Sequence, residues 1–114
     1  MRIGVRKEGN VNILELNGPM IIGEPELQLR ECFIRLLDAG ERQFVFDLTS
    51  VTQLDSAGIG ETLACNSRAR ERDAVIKVLV PARGRAHRDF LIGDLDKILD
   101  IFTDEEAALR SFGP

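Results

Sequence analysis

A hydroxyl, a carboxylate and two glycines lie close together near the middle of the chain. Residues 54–60 read Leu-Asp-Ser-Ala-Gly-Ile-Gly. Asp55 and Ser56 are residue types preferred at the N-cap of a helix, so one of them is expected to cap a helix that begins here. Gly58 and Gly60 would each destabilise an ordinary helix interior by about 1 kcal/mol relative to alanine. Their presence indicates close backbone packing, or a helix start that another surface must approach.

The start of a helix also favours a phosphate, because it carries partial positive charge and unpaired N–H donors. A phosphate esterified to Ser56 would add a charge of about −1.5 to −2, and the neighbouring Asp55 would oppose it. We therefore expect the fold to tolerate this modification while a docked partner is displaced. The alternative is that one of the two residues caps the helix and has no further role.

The elements that position this motif follow from the spacing of apolar residues and turn formers. Residues 3–7 and 11–17 are predicted to form a hairpin, followed by a helix that has Pro25 in its first turn and ends at Gly40. One face of this helix carries an apolar stripe, made of Leu29, Phe33, Leu36 and Leu37. The continuously apolar residues 44–48 predict a covered central strand.

A loop over residues 49–55 is then expected to lead into a helix over residues 56–72, with an inward face of Ile59, Gly60, Leu63, Ala64 and Ser67. A buried strand is predicted over residues 75–80, and a third helix over residues 85–91, closed by Gly93. A short edge strand over residues 98–102 precedes a last helix, for which Thr103 and Glu106 are predicted to form a capping box.

This order, β-β-α-β-α-β-α-β-α, predicts one α/β domain over residues 1–114. Its mixed sheet should begin with a β-hairpin, continue as alternating strands and helices, and carry about four packed helices. In such sheets, partners meet the loops that leave the carboxyl ends of strands. The segment 49–55 is the loop that fits this description best, and it delivers Ser56 to a helix start.

Composition excludes several classes of function. The 114 residues include 15 Lys plus Arg and 19 Asp plus Glu, so the net charge is −4, and Trp and Tyr are absent. This balance argues against a nucleic-acid binder. No apolar run is long enough for a membrane span or a signal peptide, so we expect a cytoplasmic protein. Cys32 and Cys65, in apolar helical stretches, are expected to be buried and reduced.

Enzyme motifs are incomplete. The nucleophile motif G-x-S-x-G would need glycine where Leu54 stands, and His87 is the only imidazole that could act as a base. The dinucleotide fingerprint fails at Leu63, and no phosphate-binding G-x-x-x-x-G-K-[ST] occurs. We therefore predict no catalytic residues and no cofactor, and we expect any kinase activity to belong to a partner.

Two acidic groups are candidate metal sites. Asp47 and Asp55 could hold magnesium only if further carboxylates or substrate phosphates converged on them. The cluster at Asp94, Asp96 and Asp100 lacks the glycine and the final glutamate of a calcium loop, and is read as solvated surface. No metal dependence is expected.

A basic segment, residues 68–88, carries seven Lys or Arg against two acidic residues. This asymmetry is able to steer an acidic partner. The plainer interpretation, which we favour, is a solvated helix face and loop.

The pattern of Asp47-Leu48 followed by Leu54-Asp55-Ser56-Ala57-Gly58-Ile59-Gly60 resembles the signature of STAS domains, the fold of bacterial anti-sigma factor antagonists. The resemblance covers nearly the whole chain. It implies that Ser56 is phosphorylated by a partner that is both a serine kinase and an anti-sigma factor. It further implies that the unphosphorylated form docks this partner through Asp55, Ser56, Ala57, Gly58 and Ile59 and thereby frees a sigma factor.

Two departures from the family pattern leave the branch open. Ala57 stands where many relatives carry a hydroxyl residue, and Asp73-Ala74 stands where paired glycines are frequent, which suggests a different turn. The chain could be a switch protein, with a serine phosphatase as a further partner, that exists as a monomer or weak homodimer. It could instead be a scaffold or accessory subunit of a larger complex, such as a stressosome-like or lipid-transport assembly, or a small enzyme that uses Ser56 as its nucleophile.

Overall fold

A mixed sheet of five strands lies at the centre of the computed structural model, which describes residues 1–92 and 94–113. The strands are β1 (Arg2–Glu8), β2 (Val11–Met20), β3 (Gln43–Leu54), β4 (Val75–Leu79) and β5 (Asp100–Phe102). The helices are α1 (Glu24–Asp38), α2 (Ser56–Glu71), a short α3 (Arg85–His87) that continues as a π-helical turn over Arg88–Ile92, a 3-10 turn over Leu95–Lys97, and α4 (Glu105–Arg110). The predicted order of elements and the predicted fold class are confirmed.

The strands lie side by side in the order in which they occur along the chain. β1 and β2 form an antiparallel hairpin, whereas β2, β3, β4 and β5 are parallel. Because parallel strands all end at the same edge of a sheet, the ends of β2, β3 and β4 lie together. The chain enters α2 at this edge, which is where the motif around Ser56 is placed.

The residues of β3 alternate between two cores. On one face, the ring of Phe33 in α1 makes edge-to-face contacts with Phe44 and Phe46, at centroid distances of 4.9 and 5.6 Å. On the other face, Val45 packs in a smaller cluster with Ala108 of α4. Both faces of the strand are thus covered, which explains why its sequence is continuously apolar.

The prediction of a loop over residues 49–55 was wrong. β3 continues to Leu54 and pairs with an extension of β2 that ends at Met20. Two register shifts, on either side of Asn17-Gly18, absorb the irregular backbone of Asn17-Gly18-Pro19. The β-branched residues Thr49, Val51 and Thr52 favour this extended conformation, although most of the extension is exposed.

The predicted inward face of α2 was also wrong. Ile59, Leu63 and Ala64 are only partly buried, and Gly60 and Ser67 are exposed. The buried face consists of Gly58, Glu61, Thr62, Cys65, Asn66 and Ala69. Three of these side chains are polar or charged, so apolar periodicity could not identify the face that packs on the core.

Several helix and strand ends differ in detail from the sequence prediction. α4 is capped by Asp104 and not by Thr103, because the Asp104 carboxylate accepts the N–H of Ala107 at 3.0 Å. Only three residues of the third helix are α-helical before the π turn, and β5 begins at Asp100, two residues later than predicted.

The turn before β4 contains Asp73, which has a positive φ of 55°, a conformation that Asp tolerates better than most residues. Gly93 lies outside the described residues.

Candidate functional site

Ser56 is the first residue of α2, and its side chain is exposed. It follows β3 with one intervening residue, at the edge where the parallel strands end. The hydroxyl is therefore open to an approaching protein.

Asp55 is the N-cap of α2. One carboxylate oxygen, Oδ1, accepts the backbone N–H groups of Ala57 and Gly58, both at 3.0 Å. The other oxygen, Oδ2, accepts the N–H of Ile22 at 3.0 Å. These bonds, with that from Ile22 first among them, hold the pKa of the Asp55 carboxyl below its ordinary value, and the charge of nearby Arg85 acts in the same direction. The carboxylate is therefore kept charged by its role in the fold.

Gly58 is required by the close approach of two backbones. A Cβ on this residue would fall well inside van der Waals contact with the carbonyl oxygen of Met20, at the end of β2. Gly60 is different, because a Cβ there would meet nothing within 4 Å. The sequence offered two explanations for these glycines, close backbone packing or an open helix start. Close packing applies to Gly58, whereas Gly60 leaves open space beside the start of α2.

The predicted docking residues are not equally accessible. Ser56 is exposed, Asp55, Ala57 and Ile59 are partly buried, and Gly58 is buried. Gly58 thus contributes to this surface by setting the position of the helix. Ile22 adds an apolar side chain that is 70% exposed, and its backbone is hydrogen-bonded to Asp55. Ile22 is not predictable from the sequence, because its place beside the motif depends on a tertiary hydrogen bond.

A buried carboxylate connects the two helices behind the site. The side chain of Glu61 in α2 is only 2% exposed and forms ion pairs with Arg30 at 2.7 Å and Arg68 at 2.9 Å. The Cys65 thiol lies 3.5 Å from the same carboxylate, and burial raises its pKa. The spacing of Glu61, Cys65 and Arg68 along one helix face was the sequence signal for this cluster, which also was not recognised.

The remaining candidates have structural roles. Asp47 accepts the N–H and the hydroxyl of Thr49, at 2.9 and 2.6 Å. His87, the imidazole named above as a possible base, is partly buried, and no hydrogen bond joins it to Ser56 within residues 1–92 and 94–113. Cys32 and Cys65 are buried free thiols.

The acidic cluster at Asp94, Asp96 and Asp100 is exposed, as predicted. Asp94 pairs with Lys97 and Asp100 pairs with Lys77. In the described part of the chain, no group of three potential metal ligands converges. Nor does a helix in that part have the length and apolar character needed to cross a bilayer.

An open groove lies beside the capping residue. Its volume is about 600 Å³, and it is lined on one side by the last four residues of β3 and Asp55, and on the other by residues 83–86. Arg83 and Arg85 both contribute to its lining. The carboxyl ends of β3 and β4 therefore enclose a basic concavity adjacent to the exposed serine.

Comparisons with solved structures give the same fold at low sequence identity. A candidate anti-sigma factor antagonist from Thermotoga maritima is 18% identical, with a TM-score of 0.84 over 96% of this chain and 92% of the other. An anti-sigma factor antagonist from Mycobacterium paratuberculosis is also 18% identical, with a TM-score of 0.78 over 96% and 92%.

The anti-sigma factor antagonist SpoIIAA in its unphosphorylated form is 14% identical, with a TM-score of 0.72 over 99% of this chain and 100% of the other. The phosphorylated form of Bacillus SpoIIAA is similar over 96% and 99%, at 18% identity and a TM-score of 0.67. No curated protein matches the sequence. The model of the STAS domain family matches residues 2–108, and the chain belongs to this family.

Proposed function

We propose that this STAS domain is an anti-sigma factor antagonist whose binding is switched by phosphorylation of Ser56. In the unphosphorylated state it docks an anti-sigma factor that is also a serine kinase, and a sigma factor is thereby released. The observation that carries the proposal is the exposed serine at the first position of α2, directly after a capping aspartate. The domain acts by binding, and the phosphoryl transfer belongs to its partner.

The helix start is suited to a phosphate that does not disturb the fold. The N–H groups of Ala57 and Gly58 already donate to Asp55, so the capping of α2 does not depend on the Ser56 hydroxyl. A phosphate on Ser56 would still lie in the favourable field of the helix N-terminus. The proximity of the charged Asp55 offsets part of this gain, and the modified domain should remain folded.

The same phosphate would oppose docking. It adds about two negative charges to a surface that a partner must cover, and like charges that face each other across an interface cost several kcal/mol. The known existence of a structural neighbour, SpoIIAA, in an unphosphorylated and a phosphorylated form supports a switch of this kind.

The test is to incubate the protein with ATP and each anti-sigma factor kinase encoded in the same genome, and to locate the phosphate by mass spectrometry. We expect the phosphate on Ser56 and none on the Ser56→Ala variant. The matched control is Ser67→Ala, which removes another exposed serine from the same helix and should leave phosphorylation intact. Full labelling of Ser56→Ala at another position would refute the proposal.

Isothermal titration calorimetry with the kinase tests the second half of the switch. The unphosphorylated domain should bind, and the domain carrying phosphate on Ser56 should not. Equal affinities for the two forms would show that the modification has no switching role.

A further inference from the structure

The seven cationic side chains of the basic segment, residues 68–88, form two groups in the folded chain. Four of its seven cationic side chains are engaged within the fold: Arg68 with Glu61, Arg70 with the carbonyl of Ile98, Arg72 with Asp38, and Lys77 with Asp100. The other three, Arg83, Arg85 and Arg88, are exposed and follow the end of β4. Among the described residues, the cationic side chains of the segment that no hydrogen bond or ion pair ties to a distant part of the chain are thus concentrated at the edge of the sheet that carries Ser56.

These three side chains are weakly held. Arg85 pairs with Asp89 at 3.3 Å, but its side chain is 69% exposed, and exposed pairs of this kind contribute little. Within the part of the chain that the structure describes, Arg83 and Arg88 form no ion pair. Their charge is available to another molecule.

Arg83 and Arg85 line the groove between the ends of β3 and β4. Asp55 is the acidic residue in its lining, and its carboxylate already accepts three backbone N–H groups. Thr52 and Gln53 on the opposite side add polar groups that carry no charge. The groove therefore presents net positive charge, in a chain whose overall charge is −4.

We propose that this groove binds an acidic segment, rich in Asp and Glu side chains, of the protein that docks at Ser56. The inference rests on the proposed function and adds the chemistry by which the partner is recognised. Arginine suits this role, because its planar guanidinium binds carboxylates through paired hydrogen bonds. The complementary charges would also accelerate the encounter of the two proteins.

The position of the groove couples it to the switch. Ser56 directly follows Asp55, which is part of the groove lining. A phosphate on Ser56 would enter the same positive field and compete with the carboxylates of the partner for the arginines. Phosphorylation would then weaken docking in two ways, by occupying the cations and by repelling the acidic segment.

The experiment uses the full chain labelled with ¹⁵N and a blocked hexaglutamate peptide as the probe, in buffer of low ionic strength. We expect amide shifts at Thr52, Gln53 and residues 83–86, and no comparable shifts with a hexaglutamine peptide. The Arg83→Glu/Arg85→Glu variant should bind the acidic peptide about fivefold to tenfold more weakly, since two exposed charge pairs are replaced by repulsion. Raising the salt to about 0.5 M should abolish the shifts in the wild type.

The matched control is Arg110→Glu. Arg110 is an exposed arginine in α4, which packs on the opposite face of the sheet, and its pair with Glu106 is 3.6 Å long. This variant should bind the peptide as the wild type does. Absence of shifts at low salt, shifts centred on α4, or equal binding by the groove variant would each overturn the proposal. So would a response of the groove to ATP but not to the peptide, since that would identify a site for nucleotide phosphates.

The titration contains neither kinase nor ATP in its main arm, so its result does not depend on whether Ser56 is modified. If the peptide does not bind and Ser56 is still phosphorylated, only the acidic-segment proposal fails. If the peptide binds at the groove and Ser56 is not an acceptor, the groove is retained and the switch is rejected.

Discussion

The backbone N–H of Ile22 donates a hydrogen bond to the carboxylate of Asp55 at 3.0 Å, which fastens the start of α2 to the segment that follows β2. The other oxygen of the same carboxylate caps the helix. One side chain therefore joins β2, β3 and α2 directly before the exposed Ser56.

The first prediction concerns the pH dependence of stability and the Asp55→Asn variant. Because the pKa of Asp55 is lowered in the folded state, its contribution is fully present above the unfolded pKa of about 3.9 and is lost as the pH falls through the lower folded value. The wild type should therefore lose stability more steeply below about pH 4 than Asp55→Asn does, and should have the higher thermal midpoint at pH 7.

Thermal unfolding followed by circular dichroism between pH 7 and pH 2 would measure this difference. Asp104→Asn is the matched control, because Asp104 caps α4 through a single hydrogen bond, to the N–H of Ala107. It should show a smaller loss of midpoint at pH 7. Parallel pH curves for the wild type and Asp55→Asn would contradict the role assigned to the carboxylate.

The second prediction compares two glycines in the first turns of α2. Gly58→Ala should destabilise the protein by about 2 kcal/mol or more, because its methyl group would collide with the carbonyl of Met20. Gly60→Ala should instead stabilise it by about 0.5–1 kcal/mol, since space is open there and alanine favours the helix. Urea unfolding at constant m-value would measure both changes. Similar effects at the two positions would show that Gly58 is not held against β2.

The third prediction concerns Ser56→Asp, which imitates part of the charge of a phosphate. It should weaken binding to the kinase partner while changing the thermal midpoint by only a few degrees, because an acidic group at a helix start is worth about 0.3–1 kcal/mol. Ser67→Asp, at an exposed position late in α2, should leave binding unaffected. Collapse of the fold in Ser56→Asp, seen as loss of the cooperative thermal transition, would mean that Ser56 is chiefly structural.

The fourth prediction concerns the buried carboxylate of Glu61. Glu61→Gln removes the negative charge that Arg30 and Arg68 share, and should destabilise the protein by about 1–3 kcal/mol. The loss of free energy of unfolding stays moderate, because the side chains of both arginines are about one-third exposed and are able to turn toward water. Urea unfolding would measure it, with the exposed Glu31→Gln in α1 as the control. Equal stabilities of the two variants would argue that the cluster contributes nothing.

Much of the architecture could be predicted from the sequence, because local signals and tertiary packing agree over most of the chain. The stripe containing Leu29, Phe33 and Leu37 faces the core, and β4 has the β-branched composition of a buried strand. The junction at Ser56 was also predictable, since Asp55 is a preferred capping residue and does cap the helix.

The parts that could not be predicted depend on contacts between distant segments. The extension of β3 to Leu54 pairs with a matching extension of β2 to Met20. The β-branched residues of the first favour an extended backbone, but Asn17-Gly18-Pro19 obscures the second, so the pairing itself has no local signal. The core face of α2 includes the buried Glu61, and one of the two arginines that pair with it, Arg30, comes from another helix. The basic groove likewise appears only when the ends of β3 and β4 are brought together.

The hydrogen bonds accepted by Asp55 have a consequence for any enzyme that modifies Ser56. Ser56 does not lie in a loose peptide, because the carboxylate of the preceding Asp55 fixes the start of α2 to the segment that follows β2. A kinase that acts on Ser56 must have a wide, shallow active site that accommodates the edge of the folded domain. Its selectivity would then come from the contour of the substrate and not from a linear motif.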